Sequence, residues 1–218
     1  MVKLFPSVNA NIQDLSTYVK KKSLKNVDVC EILSYKDKSF LGDFLLEYEN
    51  FNRKNLDIIK KYIFLHFNDE DALFLSDLID FSAKWGIKIP AKIWMSFLRK
   101  RGEDDDYVVM STIDYLIDNN LRINSQIVRL LEEIIYDNQC SIYAQMRAAF
   151  LLFIKFSRHR DYTNVLVLCC LDDACRHLLE NLLNIYCEKI SEKKRSLLFN
   201  IIKMRQPLRY FVRIPKKS

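Results

Sequence analysis

Cys170-Leu171-Asp172-Asp173-Ala174-Cys175-Arg176 has the Cys-x5-Arg spacing of a phosphatase loop. In such a loop a thiolate attacks phosphorus while glycine-rich backbone offers free N–H groups to the dianion. Here the loop has no glycine, and Asp172 and Asp173 would repel a phosphate. The segment is better explained as the start of a helix. Cys169, Cys170, Cys175 and His177 also bring together residue types that bind zinc. Zinc sites use Cys-x2–4-Cys on a turn with a distant second pair, whereas on a helix Cys170, Cys175 and His177 point to different faces. These are expected to be small core cysteines beside a surface histidine. His66 lies near a helix end, where a cation suits the dipole, and has no Cys or Ser partner. His159, within Arg158-His159-Arg160 ahead of Asp161, reads as a capping cluster at a basic helix terminus. No His-Glu-x-x-His, P-loop or dinucleotide fingerprint occurs. The chain has three histidines and three glycines. No enzyme, no cofactor and no metal are expected.

The remaining chemistry is that of surfaces. Glu103 to Asp137 holds nine acids, with only Arg122 and Arg129 as bases. Asp104, Asp105, Asp106, Asp114, Asp118, Glu132 and Glu133 are therefore expected to form a contact face for a partner protein. Trp94 would be its aromatic anchor. Asp104-Asp105-Asp106 also suits a helix N-terminus, where acids meet the positive end of the dipole. The bases gather elsewhere. Residues 1–25 carry a net +4, residues 189–218 a net +9 and residues 26–188 a net −7. Lys193, Lys194, Arg195, Arg205, Arg209 and Arg213, with Tyr210 and Phe211 interleaved, would suit a nucleic-acid backbone with base stacking. They equally suit a solvated tail folded onto the last helices.

The elements that must position these residues are helices. Half of the 218 residues are hydrophobic, with three glycines and four prolines, too few turn residues for a sheet protein of this size. Helices are expected over about 9–21, 27–35 and 39–51. Asn55 is expected to open the next, and Asn68 to cap a long helix that ends at Trp85, with Gly86 as its left-handed stop. Pro90 fits the first turn of a helix ending at Arg99-Lys100-Arg101-Gly102. Asp104–Asp106 begin another, and Asn124 caps a helix running to Asp137. Ile142–Phe156 is apolar on nearly all sides and should be a central, enclosed helix. Helices then follow over about 163–171 and 172–190, and a last one ends before Pro207. Leu208–Ile214 alternates apolar and basic residues, as a short extended C-terminal segment would.

Two phrases recur. Gly86-Ile87-Lys88-Ile89-Pro90-Ala91-Lys92-Ile93 is matched 34 residues on by Asn120-Leu121-Arg122-Ile123-Asn124-Ser125-Gln126-Ile127, and Ile79-Asp80-Phe81 by Ile113-Asp114-Tyr115. Asn120 stands where Gly86 stood, and asparagine is the next residue after glycine to accept the left-handed stop. Met146-Arg147-Ala148-Ala149-Phe150 falls on Cys175-Arg176-His177-Leu178-Leu179, 29 residues later. Over about 68–190 the chain resembles HEAT and armadillo-type helical repeats, whose inner helices carry an Asp…x-Arg-x-Ala/Leu phrase. Asp173…Arg176 matches it fully, and Arg147 matches without the acid. The repeat spacing departs from the HEAT period of roughly 40–47, and the tetratricopeptide residues are absent. The resemblance is to a class of architecture, and it implies a curved superhelix whose inner face holds a macromolecule.

The expectation is thus an all-α chain of about ten helices, a right-handed α-solenoid or stacked helical hairpins. Residues 1–67 would pack on a repeat body over 68–206, with a basic tail over 207–218. The expected function is a non-catalytic protein-binding scaffold, most concretely an inhibitor or immunity-type protein that sequesters a toxin or enzyme. The alternative is a nucleic-acid-binding repeat protein using its basic termini. The six cysteines, with no secretory signal, point to reduced thiols in the cytoplasm. No apolar run is long enough to cross a membrane.

Overall fold

A computed structural model describes residues 29–156 and 160–204. These residues form α-helices and one short 3-10 turn, with no strand among them. The helices are α1 (Val29–Leu33), α2 (Lys38–Glu47), α3 (Arg53–His66), α4 (Ala72–Lys84), α5 (Ala91–Phe97), α6 (Asp105–Asp118), α7 (Ser125–Tyr136), α8 (Ile142–Lys155), α9 (Arg160–Cys169), α10 (Asp173–Ile185) and α11 (Glu192–Lys203). The 3-10 turn covers Cys187–Lys189. The helix expected over 9–21 and the extended segment Leu208–Ile214 lie outside the described residues. No helix among the described residues is long and apolar enough to cross a membrane. The chain divides at Phe81–Ser82 into two compact units. That division falls inside α4, where no turn residue marks it.

Unit 1 holds α1 to α3 and most of α4. Its core is aromatic. Tyr48 and Phe51 meet edge to face at 4.5 Å, Phe44 stacks on Tyr48 at 5.3 Å, and Phe51 meets Phe81 at 5.6 Å. Such pairs contribute about 0.5–1.5 kcal/mol beyond their buried area. Asn52 caps α3 through a bond from the Asn55 N–H, so the helix opens two residues before Asn55. At α4 the cap is Asp71, which accepts from the Phe74 N–H at 3.1 Å. Asn68 is not the cap. The chain makes one further turn, in which Asp69 accepts from the Asp71 N–H and from Lys38.

Unit 2 shows the repeated link that the sequence announced. Gly86 has φ +63° and Asn120 φ +47°. In both turns the next N–H bonds back to the carbonyl five residues earlier, Ile87 to Ser82 and Leu121 to Leu116. α4 and α6 therefore end in the same left-handed cap. The Tyr115 hydroxyl fixes the first link, accepting from the Ile89 N–H and donating to the Ile87 carbonyl. The helix after that link stops at Phe97, earlier than its basic run suggested. Arg101 instead folds back and donates to the Leu98 and Lys100 carbonyls.

α8 is the enclosed helix expected. Ala144, Met146, Ala148, Ala149 and Phe150 to Phe153 are all buried. It packs against α7 and α9, its neighbours in sequence, and against α6 and α10, the next helices out. α7 shows the complementary pattern. Ile127, Leu130, Leu131, Ile134 and Ile135 form one buried stripe, and the rest of the helix faces outward.

Candidate protein-binding surface

Most of the acids expected to form a contact face are instead committed within unit 2. Asp106 is 7% exposed, and its carboxylate accepts from the Ser141 N–H at 2.7 Å, tying the start of α6 to the start of α8. Asp105 pairs with Lys100 at 2.8 Å. Asp114 pairs with Arg147 at 3.0 Å, and Asp118 with Lys189 at 3.2 Å. Glu132 accepts from the Tyr162 hydroxyl at 2.9 Å. Burial, and then that bond, push the Tyr162 phenol up to about 12, so it stays a donor at neutral pH. Trp94 is buried, as a core side chain. Asp104, Asp118 and Glu133 are the exposed ones of the eight, and of these Asp118 is held by Lys189.

Arg147 was the arginine whose repeat phrase lacked an acid. Its acid comes from the neighbouring helix, α6, through Asp114. Arg176 has its acid in the phrase itself, Asp173 at 2.6 Å, and also donates to the Cys170 carbonyl. Cations then close the helix C-termini. Lys194 donates to the carbonyls of Phe153, Ile154 and Phe156 at 2.7, 3.0 and 2.8 Å. Lys189 reaches the Ile117 and Asp118 carbonyls. Lys155 donates to Asn120 Oδ1 at 2.5 Å. Lys194 and Lys189 satisfy backbone carbonyls that a helix leaves open, against its negative end, whereas Lys155 holds the side chain of the left-handed Asn120. Desolvation lowers the pKa of Lys194 and of Lys155. Of the basic residues proposed for nucleic acid, Lys193 is exposed, Lys194 is occupied in this way, and Arg195 has a buried Nε without a hydrogen-bond partner. Arg205, Arg209 and Arg213 lie outside the described residues.

The cysteine segment has no reactive geometry. Asp172 caps α10 by accepting from the Cys175 N–H, so the segment is a helix start. Burial raises the Cys169 thiol to about 12 and those of Cys170 and Cys175 to about 11. A thiol held there carries almost no thiolate at neutral pH. Cys140 is buried as well, whereas Cys30 is exposed and Cys187 half-buried. No group of three or more metal-ligating residues occurs among the described residues.

What the sequence did not single out is an aromatic edge. Tyr107 on α6 is 47% exposed, Tyr136 at the end of α7 is 50% exposed, and Ile142 and Tyr143 at the start of α8 are 39% and 38% exposed. The Asp106–Ser141 bond sets Tyr107 beside the start of α8, and Asp137, next to Tyr136, is held by Arg101 at 2.7 Å. Tyr136 was legible as the residue just off the α7 stripe. Ile142 and Tyr143 were not, because α8 is apolar on every side and gives no period to depart from. Tyrosine offers a large, rigid contact with a polar tip, and it is enriched where interfaces bind most strongly. No family model, no curated protein and no solved structure matches this chain.

Proposed function

We propose that this chain is a non-catalytic scaffold that holds another protein, and that unit 2 is a HEAT-like right-handed helical repeat. Its most concrete form is an inhibitor or immunity-type protein that sequesters a toxin or enzyme. The observation that carries the reading is the Tyr107–Tyr136–Ile142–Tyr143 edge, with the exposed carboxylates of Asp104 and Glu133 on the same helices. Four large apolar or aromatic side chains, each exposed over a third or more of its surface around three helix ends, suit the anchor of an interface. Carboxylates near them would favour a basic partner. The inter-helix pairing of Arg147 with Asp114 supports the repeat assignment, since it supplies the acid that the local phrase lacks.

The test is capture of the tagged full chain from its native cells, with and without nuclease, beside the variant Tyr107→Ser/Tyr143→Ser. Both side chains are well exposed, so helicity and melting temperature should hold. Loss of two interface anchors should weaken a stoichiometric protein partner by at least about tenfold. A partner retained unchanged by the variant would remove this edge from the reading. Partners released by nuclease would move the function to the basic termini.

A further inference from the structure

Glycine disfavours a helix interior by about 1 kcal/mol relative to alanine, yet Gly42 lies in the middle of α2. Its surroundings explain it. A Cβ at Gly42 would lie 2.8 Å from Asp77 Cγ and 3.2 Å from Asp77 Cβ, with Oδ2 closer still. α4 therefore presses a carboxyl group against bare α2 backbone, within unit 1. Asp77 is half-buried there. Among the described residues, the charged groups facing it are Asp43 from α2, and Asp80 and Asp71 from α4 and its cap. All are acids. The one lysine of α2, Lys38, is held by Asp69 at 2.6 Å. The site does not answer this crowding with a metal, since no candidate ligand group occurs among the described residues.

We propose that the Asp77–Gly42 contact is a pH-sensitive latch in unit 1: with the carboxyl neutral, α2 closes on α4, and ionisation loosens it. Burial, followed by repulsion from Asp80, Asp43 and Asp71, raises the Asp77 carboxyl from 3.8 to about 6. The folded contact thus binds a proton that the unfolded chain has released. Its stabilisation is complete below the unfolded value and is lost as pH rises through about 6. Close approach and charge make opposite demands on one side chain, and protonation reconciles them.

The experiment is hydrogen–deuterium exchange of the full chain at about pH 5 and about pH 7.5, corrected for the chemical exchange rate, followed in peptides of α2 and of α8. α2 amides should exchange about tenfold faster at the higher pH, below the roughly hundredfold ceiling that a rise from 3.8 to about 6 allows, because Asp77 is partly solvated. α8 amides, in unit 2, should show no such step. In Asp77→Asn the α2 amides should stay protected at both pH values. A second variant guards against misfolding: Asp43→Asn removes one repulsion and should move the midpoint of the α2 step to lower pH. An α2 protection that is indifferent to pH, a step that persists in Asp77→Asn, or a midpoint unmoved by Asp43→Asn would each overturn the latch.

Discussion

In unit 2, acids and bases find one another across helices. Asp114 holds Arg147, Asp118 holds Lys189, and Asp137 holds Arg101. Lys194 closes the end of α8 on three carbonyls. In unit 1, α4 turns Asp77 toward α2, where among the described residues Asp43 meets it and no cation does. Both arrangements put charge between helices, but only the first compensates it. A paired charge fixes which helices meet, whereas an uncompensated one makes the contact depend on solution conditions. The edge proposed above for a partner is correspondingly made of residues those pairings do not use.

The largest way to strain that contrast is to empty the core of unit 2. Phe150 is fully buried in α8, so Phe150→Ala should cost about 3–5 kcal/mol. Denaturant unfolding would read it, with exchange protection falling most in α6 to α10. Protection that fell equally in α1 to α3 would mean that the two units unfold as one. Next is the charge pairing itself. Arg147→Met keeps much of the side-chain volume but leaves Asp114 partly buried without its cation. A loss of about 2 kcal/mol is expected, and Asp114→Asn/Arg147→Met should recover part of it. A double variant no better than the single would mean that the pair adds nothing to packing. Smallest is the repeated turn. Asn120→Ala forces a Cβ without a polar side chain into the left-handed region, at about 1 kcal/mol. Asn120→Gly should stay within a few tenths of a kcal/mol of the parent. A thermal melt separates the two.

The turn chemistry was legible in the sequence because it is local. Gly86 and Asn120 carry their conformation in their own residue type, and Asn124 and Asp172 cap helices three residues from the N–H groups they bind. The enclosed position of α8 was legible because apolar residues on every side leave a helix no other place. Locality also misled. Asn68 satisfies the pattern of a cap, but Asp71, with Asp69 supporting it, takes the role. The fate of the acids was not legible, because Asp106, Asp114 and Asp118 find partners 35, 33 and 71 residues away. Asp77 gave no signal at all. Between Ser76 and Leu78 it looks like any solvated helix acid, and only the absence of a side chain at Gly42 brings it into the contact.

The long-range bonds of unit 2 have a consequence for how the chain is made. Each joins an earlier residue to one that leaves the ribosome later. Tyr115 reaches back 26 residues to Ile89, Asp137 meets Arg101 after 36, and Lys155 meets Asn120 after 35. A nascent chain therefore has each helix pair fastened by the next one to emerge, roughly one repeat behind synthesis. Lys189 fastens the end of α6 after the longest wait of these, 71 residues after Asp118 was added. Until then that helix end waits with its carbonyls open to solvent, and a stalled or truncated chain would be left unfastened there.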